Sequence, residues 1–230
     1  MQVTLDSARI TRGEWSLSSS GVFIEGVHLV CGDVGSGKSS LALLLAGLTQ
    51  PESGKISLQE IRSKSIVFQH PEYHVTGTTV SEECRSWGLQ PETVLADARL
   101  SGKEDLPPLR LSRGELKRLE MLCTLSRPCD LLILDEPFSS LDPGEKELVA
   151  RKISGRTSGI TIFFTHEQEI FPRTDFLWEI ENGVLVFRGE IPRALLSWAH
   201  APPLLKKLLS LGKIPGNITP EDFVEAACRT

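Results

Sequence analysis

Three groups of residues carry side chains whose types and spacing suit chemistry on a phosphate. The first is the run Gly32, Asp33, Val34, Gly35, Ser36, Gly37, Lys38, Ser39, Ser40, which fits a phosphate-binding loop: glycine, four residues, then Gly-Lys-Ser. Glycines at 32, 35 and 37 let the backbone turn its N–H groups toward one point, and the helix that should follow adds unpaired donors and partial positive charge. In such a loop Lys38 reaches the β- and γ-phosphates and the Ser39 hydroxyl ligates Mg²⁺. The second group is Asp135-Glu136, two acids after four apolar residues. A carboxylate pair at a buried strand's end is unfavourable unless a cation or a reaction needs it. Asp135 is expected to hold Mg²⁺ through water, and Glu136 to orient and deprotonate an attacking water. The third group comprises single polar residues at strand ends, Gln69 and His166. Alone each is weak evidence; at the carboxyl ends of parallel strands both would face the same crevice.

Those groups need strands and helices to hold them. Residues 27–31 and 131–134 are apolar runs of strand length, residues 65–68 and 160–165 are two more, and residues 40–46 suit a buried helix. Before them, residues 3–5 and 21–24 are strand-like, and Ser18-Ser19-Ser20-Gly21 is expected to form the turn between them. Trp15 stands in a polar stretch and either stacks on a base or covers a sheet edge. Residues 79–100 suit helices broken around 88–91, and residues 107–111 are expected to be extended. Ser112 to Glu115 matches a capping box opening a helix to residue 126. Arg113 does not suit that reading alone, because a cation opposes the dipole at a helix start; an anion docking there would resolve it. Residues 176–187 carry a hairpin signal at Glu181-Asn182-Gly183, residues 191–198 a short helix, and the segment after Pro202-Pro203 an amphipathic helix and a last helix beginning at Thr219-Pro220. That tail is either a lid on its own domain or a contact for a second subunit.

Bulk properties set the bounds. A chain of 230 residues with 40% hydrophobic content supports a domain of moderate size with a packed core. A net charge of −5 and an isoelectric point near 5.6 argue against nucleic acid as the main partner. No apolar run is long enough to span a bilayer, and the first residues lack a secretory pattern. Five cysteines without a Cys-x-x-Cys pair fit reduced, structural thiols of a cytosolic protein.

Taken together and in order, these segments resemble the ATP-binding-cassette (ABC) ATPases over about residues 1–195. On that resemblance Walker A is residues 32–39, Gln69 belongs to the Q-loop and is a metal ligand, and residues 111–115 are the signature. Walker B ends at Asp135-Glu136, the D-loop is residues 140–142, and His166 is the switch histidine. The resemblance implies an α/β P-loop NTPase core with a mostly parallel sheet, an N-terminal antiparallel β subdomain, a short helical subdomain over about residues 75–125, and a small helical tail. Residues 1–200 would be the nucleotide-binding domain and 201–230 the tail. It also implies ATP and Mg²⁺ as ligands, with Trp15 near the nucleotide. Ser112, Arg113, Gly114, Glu115 and Asp142 would act on ATP held by a second ABC subunit, in a homo- or heterodimer. Within the family, the 69–72 and 79–82 segments and the Pro202-Pro203 tail look like the ATPases of energy-coupling-factor (ECF) transporters of vitamins and metal ions. Arg113 and Glu115 replace the common Gly and Gln, which marks the weaker half of a heterodimer, and the segment 69–112 is short. The expectation is a peripheral ATPase on the cytoplasmic face of the membrane, bound to a transmembrane transporter subunit through the surface beyond Gln69, where Tyr73, Val75, Trp87 and Leu89 would be exposed. The rival readings are a soluble ABC ATPase acting on nucleic acid or ribosomes, and a nucleotide-gated subunit with weak catalysis.

Overall fold

The protein is described by a computed structural model covering residues 1–228. Among these residues one sheet runs through the molecule in the order β4-β1-β2-β9-β8-β3-β7-β6-β5. Its centre is parallel: β3 (Gly26–Gly32), β5 (Lys64–Val67), β6 (Leu131–Asp135), β7 (Ile160–Phe164) and β8 (Phe176–Glu181) all point the same way. β1 (Gln2–Arg12), β2 (Trp15–Ile24) and β4 (Ser53–Gln59) form the antiparallel flank, and β9 (Val184–Glu190) pairs antiparallel with β8. The mostly parallel core and N-terminal antiparallel unit follow the expected fold.

Central strands are mainly apolar because both faces are covered. Leu29, Leu132, Leu134 and Phe163 enter one core with α5 (Pro143–Ser154). Their neighbours Val30, Leu131, Ile133, Ile162 and Phe164 enter the other with α1 (Lys38–Ala46). The tail joins the first core: α6 (Pro203–Ser210) contributes Leu205 and Leu208, and α7 (Pro220–Cys228) contributes Phe223 and Ala226. The last two residues of the tail expected from the sequence lie outside the described residues.

Three local expectations are corrected. The hairpin turn lies at residues 13–14, where Gly13 takes φ 61° and Arg12 pairs with Trp15; residues 18–21 lie inside β2. Ser19 is fully buried and donates its hydroxyl to the Ala8 carbonyl, while Gly21 leaves room for the Trp178 ring, which a Cβ there would approach to 2.7 Å. A serine-glycine run that signals a turn thus serves close packing. Residues 108–110 form a 3₁₀ turn, closed by Arg110 N–H to Pro107 O at 2.9 Å and Leu111 N–H to Pro108 O at 3.0 Å. The short helix expected at 191–198 is likewise a 3₁₀ segment, Arg193–Ser197.

The helical arm is α2 (Val80–Ser86), α3 (Pro91–Asp97) and α4 (Arg113–Leu125), with its own apolar core. Only Tyr73 is largely exposed, at 73%; Val75, Trp87 and Leu89 pack partly buried against that core. Their apolar surface is taken up by α2 and α4, and Trp87 also donates to Glu83 at 2.9 Å.

Glu120 on α4 is fully buried, and neither carboxyl oxygen has a hydrogen-bond partner. Burial, with Glu83 and Cys84 nearby, pushes its pKa up to about 9. A raised folded pKa contributes stability that is complete below the unfolded value, about 4.3, and is lost as pH climbs toward about 9. Glu120→Met is therefore expected to stabilise the protein at pH 7 by on the order of 2 kcal/mol, with the gain shrinking as pH falls toward about 4. Thermal midpoints of both proteins across pH check this; a gain independent of pH would contradict it.

Candidate functional site

β3, β6 and β7 deliver the phosphate loop, Asp135-Glu136 and His166 to one edge because they are adjacent parallel strands in register. A cavity of about 410 Å³ lies there. Its wall includes Val34, Gly35, Gly37, Lys38, Ser39 and Ser40 on one side, with Gln69, Glu136 and His166 opposite and Trp15 and Arg12 closing the rim. The sequence-predicted groups from distant parts of the chain therefore meet.

The loop is shaped for an anion. Gly35 and Gly37 take φ of 81° and 105°, and α1 has no side-chain cap at its N-terminus, so its first N–H groups face the cavity's side of the loop unclaimed by a side chain. Lys38 is 7% exposed and donates to the Gly32 carbonyl at 2.7 Å and the Asp33 carbonyl at 2.9 Å. The Ser36 hydroxyl is buried without a partner.

Asp135 is buried, and its Oδ1 has no hydrogen-bond partner. Burial pushes its carboxyl above the usual range; the bond from the Ser39 hydroxyl opposes this, Glu136 adds to it, and Lys117 and Lys38 oppose it. An orphaned carboxylate oxygen beside a serine hydroxyl fits a hard divalent cation with oxygen ligands.

Glu136 sits in the left-handed region, φ 50°, a strained conformation for a non-glycine residue that aims its side chain across the loop. Its Oε1 lies 2.7 Å from His166 Nδ1, and its Oε2 accepts from the Thr165 hydroxyl at 3.1 Å and from His166 N–H at 3.4 Å. An ionised carboxylate only accepts, so Nδ1 carries the proton. The His166 side chain is 61% exposed, whereas that of Glu136 is 7% exposed.

Gln69 is exposed at the cavity, yet the chain on either side of it is tied to α4. Lys117 donates to the Phe68 carbonyl at 2.8 Å, and Arg113 lies 3.2 Å from His70 Nδ1. Lys117 is 1% exposed; burial lowers its pKa to about 8, partly offset by Asp135 and Glu136. Sequence reading missed Lys117 because it sits on the apolar face of a helix with nothing local to mark it. It also missed Arg12, whose signal was its place across the turn from Trp15.

Trp15 packs on the sheet and borders the phosphate loop. Its ring joins the antiparallel core and also lies against the loop, where a Cβ on Gly37 would come within 2.2 Å of it. Gly37 is required there by its φ and by that ring together.

The signature group does not line this cavity. Ser112 and Glu115 form the expected capping box on α4, and Glu115 also pairs with Lys103, which with the Ser112 N–H holds its pKa down at about 2. Gly114 lies against the Ser140 carbonyl, 2.7 Å from where its Cβ would be. Asp142 caps α5 by accepting from Glu145 N–H at 2.8 Å, and Glu145 pairs with Arg118. Arg113 lies with its guanidinium 3.2 Å from His70 Nδ1, and its charge has no acid partner among the ion pairs of the described residues.

Comparison with known proteins agrees with this geometry. Residues 22–139 match the ABC transporter family. The energy-coupling factor transporter ATP-binding protein EcfA1 of Thermotoga maritima is 34% identical over 214 residues, covering 82% of each chain. EcfA2 of Leuconostoc mesenteroides is 28% identical over 193 residues, covering 71% of this chain and 68% of its own. Among solved structures, a dimeric ATP-binding cassette in a post-hydrolysis state with ADP and Pi superposes with a TM-score of 0.66 at 16% identity, covering 80% of this chain and 96% of that one. A bacterial Atm1-family ABC exporter with ATP bound gives 0.68 at 22% identity, covering 80% and 38%.

Proposed function

This chain belongs to the ABC transporter family, and from that premise we infer that it is the ATP-binding and ATP-hydrolysing subunit of an ECF-type importer. The observation that carries this reading is the single cavity in which the Lys38 loop faces the Glu136–His166 pair. ATP enters with its phosphates on the loop, where Lys38 exchanges the Gly32 and Asp33 carbonyls for the β- and γ-phosphates. Trp15 and Arg12 flank the nucleotide at the rim. Ser39, Asp135 and Gln69 are the residues that would hold Mg²⁺, which supplies charge neutralisation on the phosphates. Glu136 accepts the proton of the attacking water as His166 moves off its Oε1 toward the γ-phosphate. Gln69 reports the nucleotide to α4 through the Phe68 and His70 contacts, and so to the arm.

Ser112, Gly114 and Asp142 stand outside the chain's own cavity, which favours a second ABC subunit placed so that each signature completes the other's site. Residues 1–200 form the nucleotide-binding unit in this reading, with 201–230 as its tail. No helix among the described residues is long and apolar enough to cross a membrane. In this reading the chain docks on the cytoplasmic face of a transmembrane subunit through the surface about Tyr73.

Purification of the tagged chain from detergent-solubilised membranes tests the transport reading. Integral membrane subunits that co-purify, and that raise its ATP turnover, are expected. Full turnover by a strict monomer without membrane partners would remove the transport role and leave a free-standing ATPase.

A further inference from the structure

Glu179 is the one acid in the interior of β8, opposite Cys31 of β3 and fully buried. A carboxylate taken out of water there is destabilising unless its oxygens are filled. They are filled. Oε1 accepts from the His200 N–H at 2.9 Å and contacts His200 Nδ1 at 2.6 Å; Oε2 accepts from the Ala199 N–H at 3.1 Å and from Arg188 Nε at 2.6 Å. Burial pushes Glu179 upward, but these bonds outweigh it and hold its carboxyl below the usual range.

The arrangement has the proximity of a metal site, since ligand atoms of Glu179, Glu181 and His200 lie within 4.8 Å of one another. The chain fills that role itself, because the Arg188 guanidinium pairs with both Glu179 and Glu181. What the cluster fixes is the imidazole. With Nδ1 committed to Glu179, the ring's other nitrogen, Nε2, stands 3.3 Å from Asp33 Oδ1 in the phosphate loop, an ion pair made when the imidazole is protonated and donates from both nitrogens. Asp33 is otherwise open to solvent, with 87% of its side chain exposed, yet its carbonyl accepts from Lys38 Nζ at 2.9 Å and from Ser36 N–H at 3.1 Å.

We propose that His200 is a positioning residue for the phosphate loop, a clamp that in its imidazolium form ties Asp33 through both ring N–H groups to the buried Glu179 and so holds the loop backbone in its anion-binding shape. The inference rests on ATP being the loop's ligand. It gives the junction between the nucleotide-binding unit and the tail a part in nucleotide affinity, because α6 begins three residues beyond His200. No residue of this clamp except Asp33 belongs to the loop pattern, and none takes part in the bond-breaking step.

Two substitutions separate the clamp from a purely structural histidine. His200→Asn places an amide nitrogen where Nδ1 stands, keeping the Glu179 bond and losing Asp33. His200→Gln places its amide nitrogen near Nε2 and keeps Asp33. Binding of mant-ATP with Mg²⁺ to the purified full chain is expected to weaken about three- to fivefold in His200→Asn, with KM affected more than kcat and an unchanged thermal midpoint. His200→Gln should recover most of that affinity. Because Asp33 is exposed, the difference should shrink near 1 M salt, and Asp33→Ala added to His200→Asn should bring little further loss. Equal affinity in wild type and His200→Asn, with Lys38→Ala unable to bind, would overturn the clamp and leave the ATP site standing. Equal loss in the Asn and Gln variants would also overturn it. If Lys38→Ala binds as wild type does, the ATP reading fails and the clamp with it.

Discussion

Glu136→Gln is expected to lower ATP hydrolysis by about 100-fold or more while leaving ATP binding in place. The substitution keeps the volume and the left-handed backbone of a residue whose side chain is 7% exposed. It removes the one function a carboxylate has there, acceptance of a proton. The amide oxygen can still accept from His166 Nδ1, and the amide NH2 then faces the Thr165 hydroxyl, which can turn to accept, so the local bonds can be kept with one reversed. A second consequence follows from the position of the signature. If two subunits close on ATP, slowing hydrolysis traps them closed, and light scattering on the variant with ATP should report twice the monomer mass or a heterodimer with a related subunit. Turnover within a fewfold of wild type would remove Glu136 as the base. A monomer at saturating ATP would remove the sandwich.

Lys38→Ala acts at the other end of the same cavity. Lys38 is 7% exposed and begins the helix whose N-terminus has no side-chain cap. Loss of a buried charge-assisted contact to phosphate is worth about 3 kcal/mol, or about 100-fold in Kd. Because Lys38 also holds the Gly32 and Asp33 carbonyls, the loop itself loosens and adds to the loss. Titration with mant-ATP and Mg²⁺ measures this. Retained affinity in a protein with the wild-type thermal midpoint would place the phosphates elsewhere.

The two predictions differ in a way that makes them jointly informative. Glu136 is engaged on both oxygens, so its change alters a step more than a shape. Lys38 is engaged with its own loop, so its change alters a shape and a charge together.

What the sequence determined by itself was local in origin. The glycine spacing before Lys38, the apolar run before Asp135 and the Ser112/Glu115 pair each act over a few residues, through backbone freedom, strand burial and helix capping, and each stands where it was read. Periodicity likewise placed the central strands, because a run buried on both faces has no polar alternation to confuse it. The turn at residues 13–14 was not legible. The serine-glycine run at residues 18–21 carried the turn signal, and what kept it inside the strand was Trp178, distant in sequence, close against Gly21. Nor were Lys117 and His200 legible as parts of the site. Each looks ordinary beside its own neighbours and acquires its role from a partner across the fold, the Phe68 carbonyl for one and Glu179 with Asp33 for the other. Chemistry that depends on short spacing can be read along the chain. Chemistry that depends on which strand lies beside which, and on whether a charge is buried when it gets there, is decided by packing alone.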